Sequence, residues 1–434
     1  MRYVGIRRED KDQWEARVPL LPEDVARIMA SEQVRFVVQP SGLRAFTDEQ
    51  YAATGAQISD DLSACDIILA VKEIPPELLL PRKTYVFFSH TIKGQPHNMD
   101  MLRRLVELDC QLVDYERVRD ERGGRLIYFS RFAGLAGAID TLWALGRRLA
   151  WEGLTPNPFA HLEQTYRYAT LEDALAAVRA VGWLIKADGL PPEIRPFVIG
   201  VSGYGNVSKG AQEVLTALGA IAVAPADLAG LFVGQEAPRG AHFVVFTERE
   251  MVAPRAPSDS FDLPTYFEHP ELYRGQFERW LPRLTALINC IYWDTPYPRL
   301  VTKAAARKLF SGDPPLLRVI GDVSCDIGGS IEFTTRETAI DAPVYVYDPS
   351  QDATRDGVEG RGPVVMAVGN LPCELPREAS EAFSAALAPF IPGLAATDFG
   401  APHDELTLPP ELERALILHH GKFTPEYAFM EQFV

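Results

Sequence analysis

One segment constrains the fold of this chain more than any other: residues 197–220, FVIGVSGYGNVSKGAQEVLTALGA. Its apolar start predicts a buried strand, the glycines a tight turn, and the spacing of the later apolar residues an amphipathic helix. A strand, glycine-rich turn and helix in this order are typical of an open α/β sheet that binds a dinucleotide, with the pyrophosphate at the helix N-terminus. The alternative is an ordinary glycine-rich turn between a strand and a helix.

Within this turn, each small residue has an expected role. Gly203 permits the tight turn, and Gly205 allows the backbone to approach a pyrophosphate. Ser208 stands where the dinucleotide-binding pattern has its third glycine, a mild departure because serine is also small. The predicted phosphate-binding residues are Gly203, Gly205, Asn206, Val207 and Ser208.

The sequence leaves open which dinucleotide is bound. An acidic residue at the end of the second strand of such a sheet binds the ribose 2′-hydroxyl of NAD. The predicted second strand, residues 220–224, is followed by Pro225, and Asp227 is the nearest acid. Asp227 is therefore the candidate ribose ligand. The same loop lacks a Lys or Arg for the 2′-phosphate of NADP.

Short apolar runs alternate with segments of helical periodicity along most of the 434 residues, which predicts an α/β protein with parallel sheets. We expect two Rossmann-like domains separated by an interdomain cleft. The first comprises residues 1–135 and about 340–434, and the second, residues 136–339, binds the dinucleotide. The predicted strands are 3–7, 35–39, 67–72, 85–89, 112–116, 197–201, 220–224, 242–246, 317–322, 344–347 and 364–368, and the predicted helices include 22–30, 99–108, 131–152, 171–181 and 377–387.

Composition excludes several classes of function. With 43 Lys and Arg against 59 Asp and Glu the net charge is −16, which argues against binding to nucleic acid or to an anionic membrane surface. The start MRYVGIRRED has no apolar signal segment, and no apolar run reaches the length of a membrane span. Five separated cysteines without a CxxC pair predict reduced thiols, a cytoplasmic location and no metal site.

Two ionisable residues follow neighbouring apolar runs. Lys72 ends DIILAVK, and His90 ends YVFFSH. If the two strands are adjacent and parallel, both side chains emerge at the carboxyl edge of the sheet, where open α/β sheets place their sites. A histidine alone at such a position is more often structural, but a lysine at the end of a buried strand has no packing role.

Six motifs in order resemble a known family. They are RREDKDQWEARVPLLPEDV (7–25), QPSGLRAFTDEQYAATGA (39–56), RKTYVFFSHTIKGQ (82–95), SGYGNVSKGAQ (202–212), DVSCDIGGSIEF (322–333) and GNLPCELPREASEAF (369–383). Together they resemble the lysine 2-oxoglutarate reductases, which form saccharopine. The wider family includes lysine-forming saccharopine dehydrogenase and, more distantly, alanine dehydrogenase.

The resemblance implies an acid/base pair of Lys72 and His90, accompanied by the acids Glu73 and Glu116. Imine formation from an amine and a keto acid needs several proton transfers, which two groups of different pKa divide between them. Lysine must have its pKa lowered to act as a base. The cations expected to lower it are those of Lys83 and Lys93.

Further residues follow from the same resemblance. Arg17 and Arg125 match substrate-carboxylate arginines, and Lys93 adds a positive charge. Asp326 lies where the family has an acid near the nicotinamide, where it holds a ribose, positions the amine or caps a turn. Ser130 and Arg131 depart from the family pattern, and their effect on specificity is left open.

The expected activity is reductive condensation of L-lysine with 2-oxoglutarate to saccharopine, with NADP(H) favoured over NAD(H). The partners are then a small amino acid and a 2-keto acid, and the chain is a monomer or a homo-oligomer. An opine-type imine reductase acting on another amine is the main alternative. An amino-acid dehydrogenase using ammonia and a cofactor-binding regulator without catalysis are two others; the regulator would not need Lys72 and His90.

Overall fold

The structure is a computed structural model that describes residues 1–233, 238–256 and 258–434. The strands in this part of the chain, numbered in chain order, are β1 (Arg2–Ile6), β2 (Val34–Val38), β3 (Gln57–Ile58), β4 (Ile67–Leu69), β5 (Thr84–Phe87), β6 (Gln111–Asp114), β7 (Phe197–Ser202), β8 (Ile221–Ala222), β9 (Ala241–Phe246), β10 (Val252–Pro254), β11 (Tyr273–Gly275), β12 (Ala286–Asn289), β13 (Val319–Asp322), β14 (Val344–Asp348), β15 (Ala353–Asp356), β16 (Val364–Met366), β17 (Leu416–His419) and β18 (Lys422–Phe423).

The α-helices follow the amphipathic segments of the sequence, several of them beginning with a proline in the first turn, where its missing N–H costs nothing. They are α1 (Pro22–Ser31), α2 (Asp48–Ala52), α3 (Pro96–Glu107), α4 (Ser130–Trp151), α5 (Leu171–Asp188), α6 (Asn206–Ala217), α7 (Glu248–Met251), α8 (Leu263–Glu268), α9 (Lys303–Leu309), α10 (Pro376–Leu387), α11 (Ile391–Ala396) and α12 (Pro410–Glu413).

The first compact unit comprises residues Met1–Phe129 and Pro376–Val434. Its sheet has the order β18-β17-β6-β5-β4-β1-β2-β3, and β1 to β6 pair in parallel. From β1 the chain builds outward through β2 and β3, then returns to the other side of β1 with β4, β5 and β6. This reversal creates a switch point at the carboxyl ends of the strands, the usual place for a site in such sheets.

The second unit comprises Ser130–Leu375, and its sheet has the order β15-β14-β16-β13-β12-β7-β9-β8. Within this sheet, β8, β9, β7, β12, β13 and β16 pair in parallel in that order, whereas β14 pairs antiparallel with β16 and with β15. The third strand of this sheet along the chain, β9, lies next to β7, and β8 is at the edge. The switch point of this sheet lies between β7 and β12.

The predicted division into two Rossmann-like α/β units is present, but its boundaries differ. The chain returns to the first unit at Pro376 rather than near residue 340. The reason is that β16 continues the second sheet in parallel with β13, and β14 and β15 add to its edge. The first boundary falls after Phe129 instead of residue 135, because α4 packs against α6 of the second unit. The central strand β12 was not predicted, since a strand of only four residues carries little periodicity of its own.

Two glycines bring α4 and α6 into close contact. A Cβ atom on Gly134 would lie 1.8 Å from the carbonyl oxygen of Val207, and one on Gly210 would lie 2.1 Å from that of Arg131. The helix backbones therefore pack directly against each other. This contact fixes α6, and with it the glycine-rich turn, on the long helix α4.

One segment, Pro376–Ala396, meets the length and composition of a membrane span. It contains α10, a short turn and α11. Its Phe383, Leu387 and Ile391 are buried, and its Ser380 and Ser384 hydroxyls accept hydrogen bonds from the backbone of residues 18 and 21. In the first unit this segment is part of the apolar core.

Candidate active site

Lys72 and His90 lie just beyond the ends of neighbouring strands in the first unit. Strands β4 and β5 pair in parallel, with Leu69 opposite Val86. Lys72 follows β4 and His90 follows β5, so both residues lie at the carboxyl edge of the sheet, beside its switch point. Both residues are half-buried. The predicted juxtaposition of these strand ends is present.

His90 is held by a carboxylate. Its Nδ1 lies 2.5 Å from Oε1 of Glu73, and the ring stacks on Phe88 with centroids 5.9 Å apart. Lys11 Nζ lies 3.3 Å from the other oxygen, Oε2, of Glu73. Burial alone would raise the pKa of Glu73, but the hydrogen bond to His90 and the charges of His90, Lys11 and Lys72 outweigh it and lower that pKa. Glu73 is therefore an ionised carboxylate that orients the imidazole.

The pKa of Lys72 is lowered, first by burial and then by the positive charges of Arg17 and Lys11. Glu73 and Glu15 oppose this shift. The cations that lower this pKa are Arg17 and Lys11, whereas Lys83, one of the two cations expected from the sequence, donates a hydrogen bond from its Nζ to the Ser63 carbonyl 2.6 Å away. A lowered pKa makes the neutral, basic form of Lys72 more accessible than that of an ordinary lysine.

Glu9 is a site residue that the sequence pattern did not identify. The backbone N–H groups of Val71 and Lys72 donate to its two carboxylate oxygens over 2.7 and 2.9 Å. Burial, followed by the charge of Glu15, raises the pKa of Glu9 to about 7 against the pull of these hydrogen bonds. Glu9 fixes the backbone from which the Lys72 side chain projects. Its only signal in the sequence is its place in the charged run that follows β1.

Arg17 is 2% exposed and paired with a buried acid. Its Nε and Nη2 donate to the two oxygens of Glu15 over 2.7 and 2.5 Å, and its guanidinium lies 4.2 Å from the centroid of the Phe129 ring. Two of its donors are thus engaged, and its predicted use as a substrate-carboxylate ligand remains a prediction. Glu15 was not singled out in the sequence, although it stands in the same motif.

The structure pairs two other predicted residues with each other. Arg125 and Glu116 form an ion pair after β6, and the Glu116 N–H donates to Oδ1 of Asp114 over 2.8 Å. Arg125 is largely exposed. Lys93 is exposed in the turn that follows His90.

The second unit contains the glycine-rich turn, which fits the phosphates of a dinucleotide. Gly203 has a φ of +85°, a left-handed conformation that favours glycine, and its N–H donates to the Phe246 carbonyl over 2.9 Å. Gly205 precedes the first residue of α6, and a Cβ placed on it would contact nothing within 4 Å. Open space therefore lies beside Gly205, at the start of α6. Ser208 is buried, and its Oγ accepts from Gln212 over 2.9 Å, so it packs inside the unit.

A cavity of about 360 Å³ opens at this turn, at the switch point of the second sheet. Residues following three neighbouring strands line it: Gly203 to Gly205 after β7, Glu248 after β9, and Cys290 to Trp293 after β12. Aromatic side chains form much of the remaining wall: Tyr266, Phe267 and Tyr297. The cavity has the position at which open α/β sheets bind dinucleotides.

Asp227 does not follow the strand beside β7. It is exposed in a short 3-10 helix after β8, and β8 is the edge strand, separated from β7 by β9. The predicted strand 220–224 is reduced to the exposed, two-residue β8, which lies at the edge of the sheet and not beside β7. The acid that follows the true neighbour of β7 is Glu248.

Asp326 is half-buried in the loop after β13, and its carbonyl accepts the N–H of Gly329 over 2.9 Å. Arg131 forms an ion pair with Glu213 on α6, with its Nε 2.7 Å from Oε1. Its positive charge is thus compensated within the second unit. In the described residues, no group of three or more His, Cys, Asp and Glu side chains is placed to hold a metal ion.

The fold and the glycine-rich turn place this chain among the dinucleotide-binding α/β proteins with two units. Two family models match it, the alanine dehydrogenase/PNT N-terminal domain over residues 5–136 and the corresponding C-terminal domain over residues 285–426. The chain belongs to the alanine dehydrogenase/PNT family, whose members are NAD(P)-dependent oxidoreductases.

Individual proteins that are similar to this chain were also found. The chain is 38% identical over 98% of its length to alpha-aminoadipic semialdehyde synthase of Arabidopsis thaliana, covering 41% of that protein. It is 35% identical over 99% of its length to the mitochondrial alpha-aminoadipic semialdehyde synthase of Mus musculus, covering 47%. The chain thus spans less than half of these two relatives.

A third relative matches almost from end to end. Saccharopine dehydrogenase [NAD(+), L-lysine-forming] of Schizosaccharomyces pombe is 26% identical over 91% of this chain and 94% of its own. Among solved structures, an L-alanine dehydrogenase covers 100% of both chains with a TM-score of 0.63 at 18% identity. That likeness supports the fold alone. The family resemblance inferred from the sequence motifs is confirmed.

Proposed function

We propose that this chain catalyses the reductive condensation of L-lysine with 2-oxoglutarate to saccharopine, and the reverse reaction, with a nicotinamide dinucleotide. One observation carries the proposal: Lys72, with a lowered pKa, lies at the same sheet edge as an imidazole oriented by an ionised carboxylate. Two groups of different proton affinity at one edge are what imine formation and its reversal require. The likeness to a lysine-forming saccharopine dehydrogenase over nearly the full chain supports the choice of substrates.

The two groups divide the proton transfers. Neutral Lys72 takes a proton from the ammonium group of the substrate lysine, so that the free amine attacks the keto carbon of 2-oxoglutarate. The attacking nitrogen loses a proton and the keto oxygen gains one, which gives the carbinolamine. His90, oriented by Glu73, then donates a proton to the carbinolamine hydroxyl group, which leaves as water and yields the protonated imine. When bound, the reduced nicotinamide supplies the hydride to the imine carbon. Lys72 and His90 exchange these protons in the opposite sense during the reverse reaction.

Fixed cations of the first unit are proposed to bind the substrate carboxylates. Arg125 is exposed and holds Glu116, so a substrate carboxylate would take the place of that acid. Lys93 is exposed one turn beyond His90 and adds positive charge there. Arg17, buried against Glu15, is proposed to add its positive charge to those of Arg125 and Lys93. In the second unit, Asp326 is proposed to lie near the nicotinamide end of the dinucleotide.

The five cysteines are all free in the structure, which supports the proposal of a reducing compartment, the cytoplasm. The mammalian relatives are called mitochondrial, and their compartment is a property of those proteins. NADP(H) is the cofactor that the resemblance favours.

The test is oxidation of reduced dinucleotide, followed at 340 nm with purified protein, L-lysine and 2-oxoglutarate. We expect oxidation only when both substrates are present, and none when ammonia replaces lysine. Oxidation with another amine but not with lysine would move the function to the opine-type reductases. Oxidation with ammonia and a keto acid alone would make the protein an amino-acid dehydrogenase.

Substitution of Lys72 tests its proposed role as the general base. We expect Lys72→Met to lower kcat by a factor of about 10² to 10⁴, the usual contribution of a general base, with the Kd for the dinucleotide unchanged. Lys83→Met is the control, because Lys83 donates to a carbonyl oxygen and takes no part in the proposed chemistry. Equal activity of the two variants would remove Lys72 from the mechanism.

A further inference from the structure

We propose that Glu248 binds the 2′- and 3′-hydroxyl groups of the adenosine ribose, and that the chain consequently prefers NAD(H) to NADP(H). The inference rests on the proposed dinucleotide-dependent function and deepens it, since it names the form of the cofactor. It also revises the preference that the family resemblance implied.

The pairing of β7 with β9 is the first step. All six residues of β7 pair in parallel with β9, from Phe197 opposite Ala241 to Ser202 opposite Phe246. In a dinucleotide-binding sheet, the strand next to the one that carries the glycine-rich turn ends at the adenosine ribose, and its terminal acid accepts the ribose hydroxyls. Here that strand is β9, and its chain continues through Thr247 to Glu248.

The second step is the register at the end of these two strands. The Gly203 N–H donates to the Phe246 carbonyl over 2.9 Å, so the glycine-rich turn and the residues after Phe246 leave the sheet side by side. Glu248 and residues Gly203, Tyr204 and Gly205 then line the same cavity. Burial and the nearby Glu248 carboxylate raise the pKa of the Tyr204 hydroxyl. The Glu248 carboxylate therefore lies beside the turn that is proposed to hold the pyrophosphate.

The third step is the charge of the cavity. Among the described residues that line it, none is Lys, Arg or His. Arg249, the residue after Glu248, is exposed, and its guanidinium lies 5.7 Å from the centroid of the Phe261 ring. The residues outside the described part, 234–237 and 257, contain no Lys or Arg either. The 2′-phosphate of NADP(H) would therefore be repelled by the Glu248 carboxylate, and no lining cation would compensate its charge. The ribose hydroxyl groups of NAD(H) could instead donate hydrogen bonds to the two oxygens of that carboxylate.

Equilibrium binding tests the inference without any substrate. NADH and NADPH are titrated separately into the full chain, and binding is followed by the fluorescence of the reduced nicotinamide and by calorimetry. We expect wild-type protein to bind NADH at least about tenfold more tightly than NADPH, as two hydrogen bonds to a charged acceptor imply. We expect Glu248→Ser to bring the ratio of the two Kd values close to one, mainly by weakening the binding of NADH. We expect Glu248→Arg to reverse the preference.

Two further variants keep the result interpretable. Asp227→Ser, in the 3-10 helix that follows the edge strand β8, is the matched control and should leave the ratio unchanged. Glu248→Asp retains the carboxylate and should retain a preference for NADH, and the thermal unfolding midpoint of each variant shows that it is folded. If Glu248→Ser does not fold, Glu248→Gln takes its place, since it keeps the shape and removes the charge.

The outcomes separate this inference from the proposed reaction. Wild-type protein that binds NADPH as tightly as NADH, or a ratio that responds to Asp227→Ser and not to Glu248→Ser, overturns the role of Glu248 whatever the enzyme condenses. A preference for NADH that disappears in Glu248→Ser supports that role even if lysine proves to be the wrong substrate. If the protein binds neither NADH nor NADPH, both the role of Glu248 and the proposed dinucleotide-dependent reaction are contradicted.

Discussion

At the scale of single residues, the proton affinity of Lys72 depends on charges from distant parts of the chain. Arg17 and Lys11 lower its pKa, while Glu73 and Glu15 raise it. If Lys72 is the base, kcat/KM rises with pH as Lys72 loses its proton, and the position of that rise reports its pKa. The neighbours can therefore be tested one at a time through the pH profile.

Replacement of neighbours of opposite charge should shift this profile in opposite directions. Lys11→Met removes a positive charge, so the Lys72 pKa rises and the increase in kcat/KM moves to higher pH, by less than about one unit because Lys11 is partly exposed. Glu73→Gln removes a negative charge, so the increase moves to lower pH. Full pH profiles of kcat/KM measure both shifts.

Glu73→Gln also removes the carboxylate that orients His90, so it lowers the maximal rate. The quantity to compare is therefore the pH at which kcat/KM rises, and not its height. Lys83→Met should leave the position where it is in the wild type. Shifts of Lys11→Met and Glu73→Gln in the same direction would show that Lys72 is not the group that titrates.

At the scale of elements, the contact between α4 and α6 positions the glycine-rich turn. A Cβ at Gly134 would lie 1.8 Å from the Val207 carbonyl oxygen, which is backbone and has no alternative rotamer. We expect Gly134→Ala to force the helices apart and to lower the free energy of unfolding by about 1–3 kcal/mol or more, as overpacking does. It should also weaken dinucleotide binding, since Val207 is in the first turn of α6.

Chemical denaturation and a dinucleotide titration measure these two effects. Gly312→Ala is the control: a Cβ there would contact nothing within 4 Å, so its effect should stay within about 0.5 kcal/mol. Gly134→Ala with wild-type stability would mean that α4 and α6 are further apart than the structure has them.

At the scale of the whole molecule, several buried carboxyl groups take up protons on folding. Burial raises the pKa of Glu9 to about 7 and that of Asp140 to about 6, and it also raises the pKa of Glu374. Oδ2 of Asp140 and Oε1 of Glu374 are buried without another hydrogen-bond partner, and each carboxyl group shifts the pKa of the other, so we expect the pair to share one proton in the folded state. The folded state then binds more protons than the unfolded state between about pH 4 and 7, so these groups make the free energy of unfolding fall as pH rises.

Glu374→Gln should weaken that dependence. The amide donates to Asp140 at every pH, so no shared proton is lost as the pH rises. We expect the thermal unfolding midpoint to fall less between pH 5 and pH 7.5 in Glu374→Gln than in the wild type. Glu413→Gln, which changes an exposed carboxylate, should keep the wild-type dependence. A dependence in Glu374→Gln as steep as that of the wild type would mean that the pair is not protonated in the folded state.

The features that depend on neighbours along the chain could be predicted from the amino-acid sequence alone. The apolar runs marked most strands, the glycine spacing marked the turn of residues 203–205, and Lys72 and His90 stood at the ends of two such runs. These features could be predicted because burial, helical periodicity and the conformational freedom of glycine act over a few residues.

Which distant segments become neighbours could be read from the three-dimensional structure and not from the sequence pattern. The structure placed β9 rather than β8 beside β7, which moved the candidate ribose ligand from Asp227 to Glu248. It brought Glu9 under the backbone of Lys72, and it kept β14 to β16 in the second sheet. Strand order and contacts between distant segments depend on the packing of the whole chain, and a local pattern contains no record of that packing.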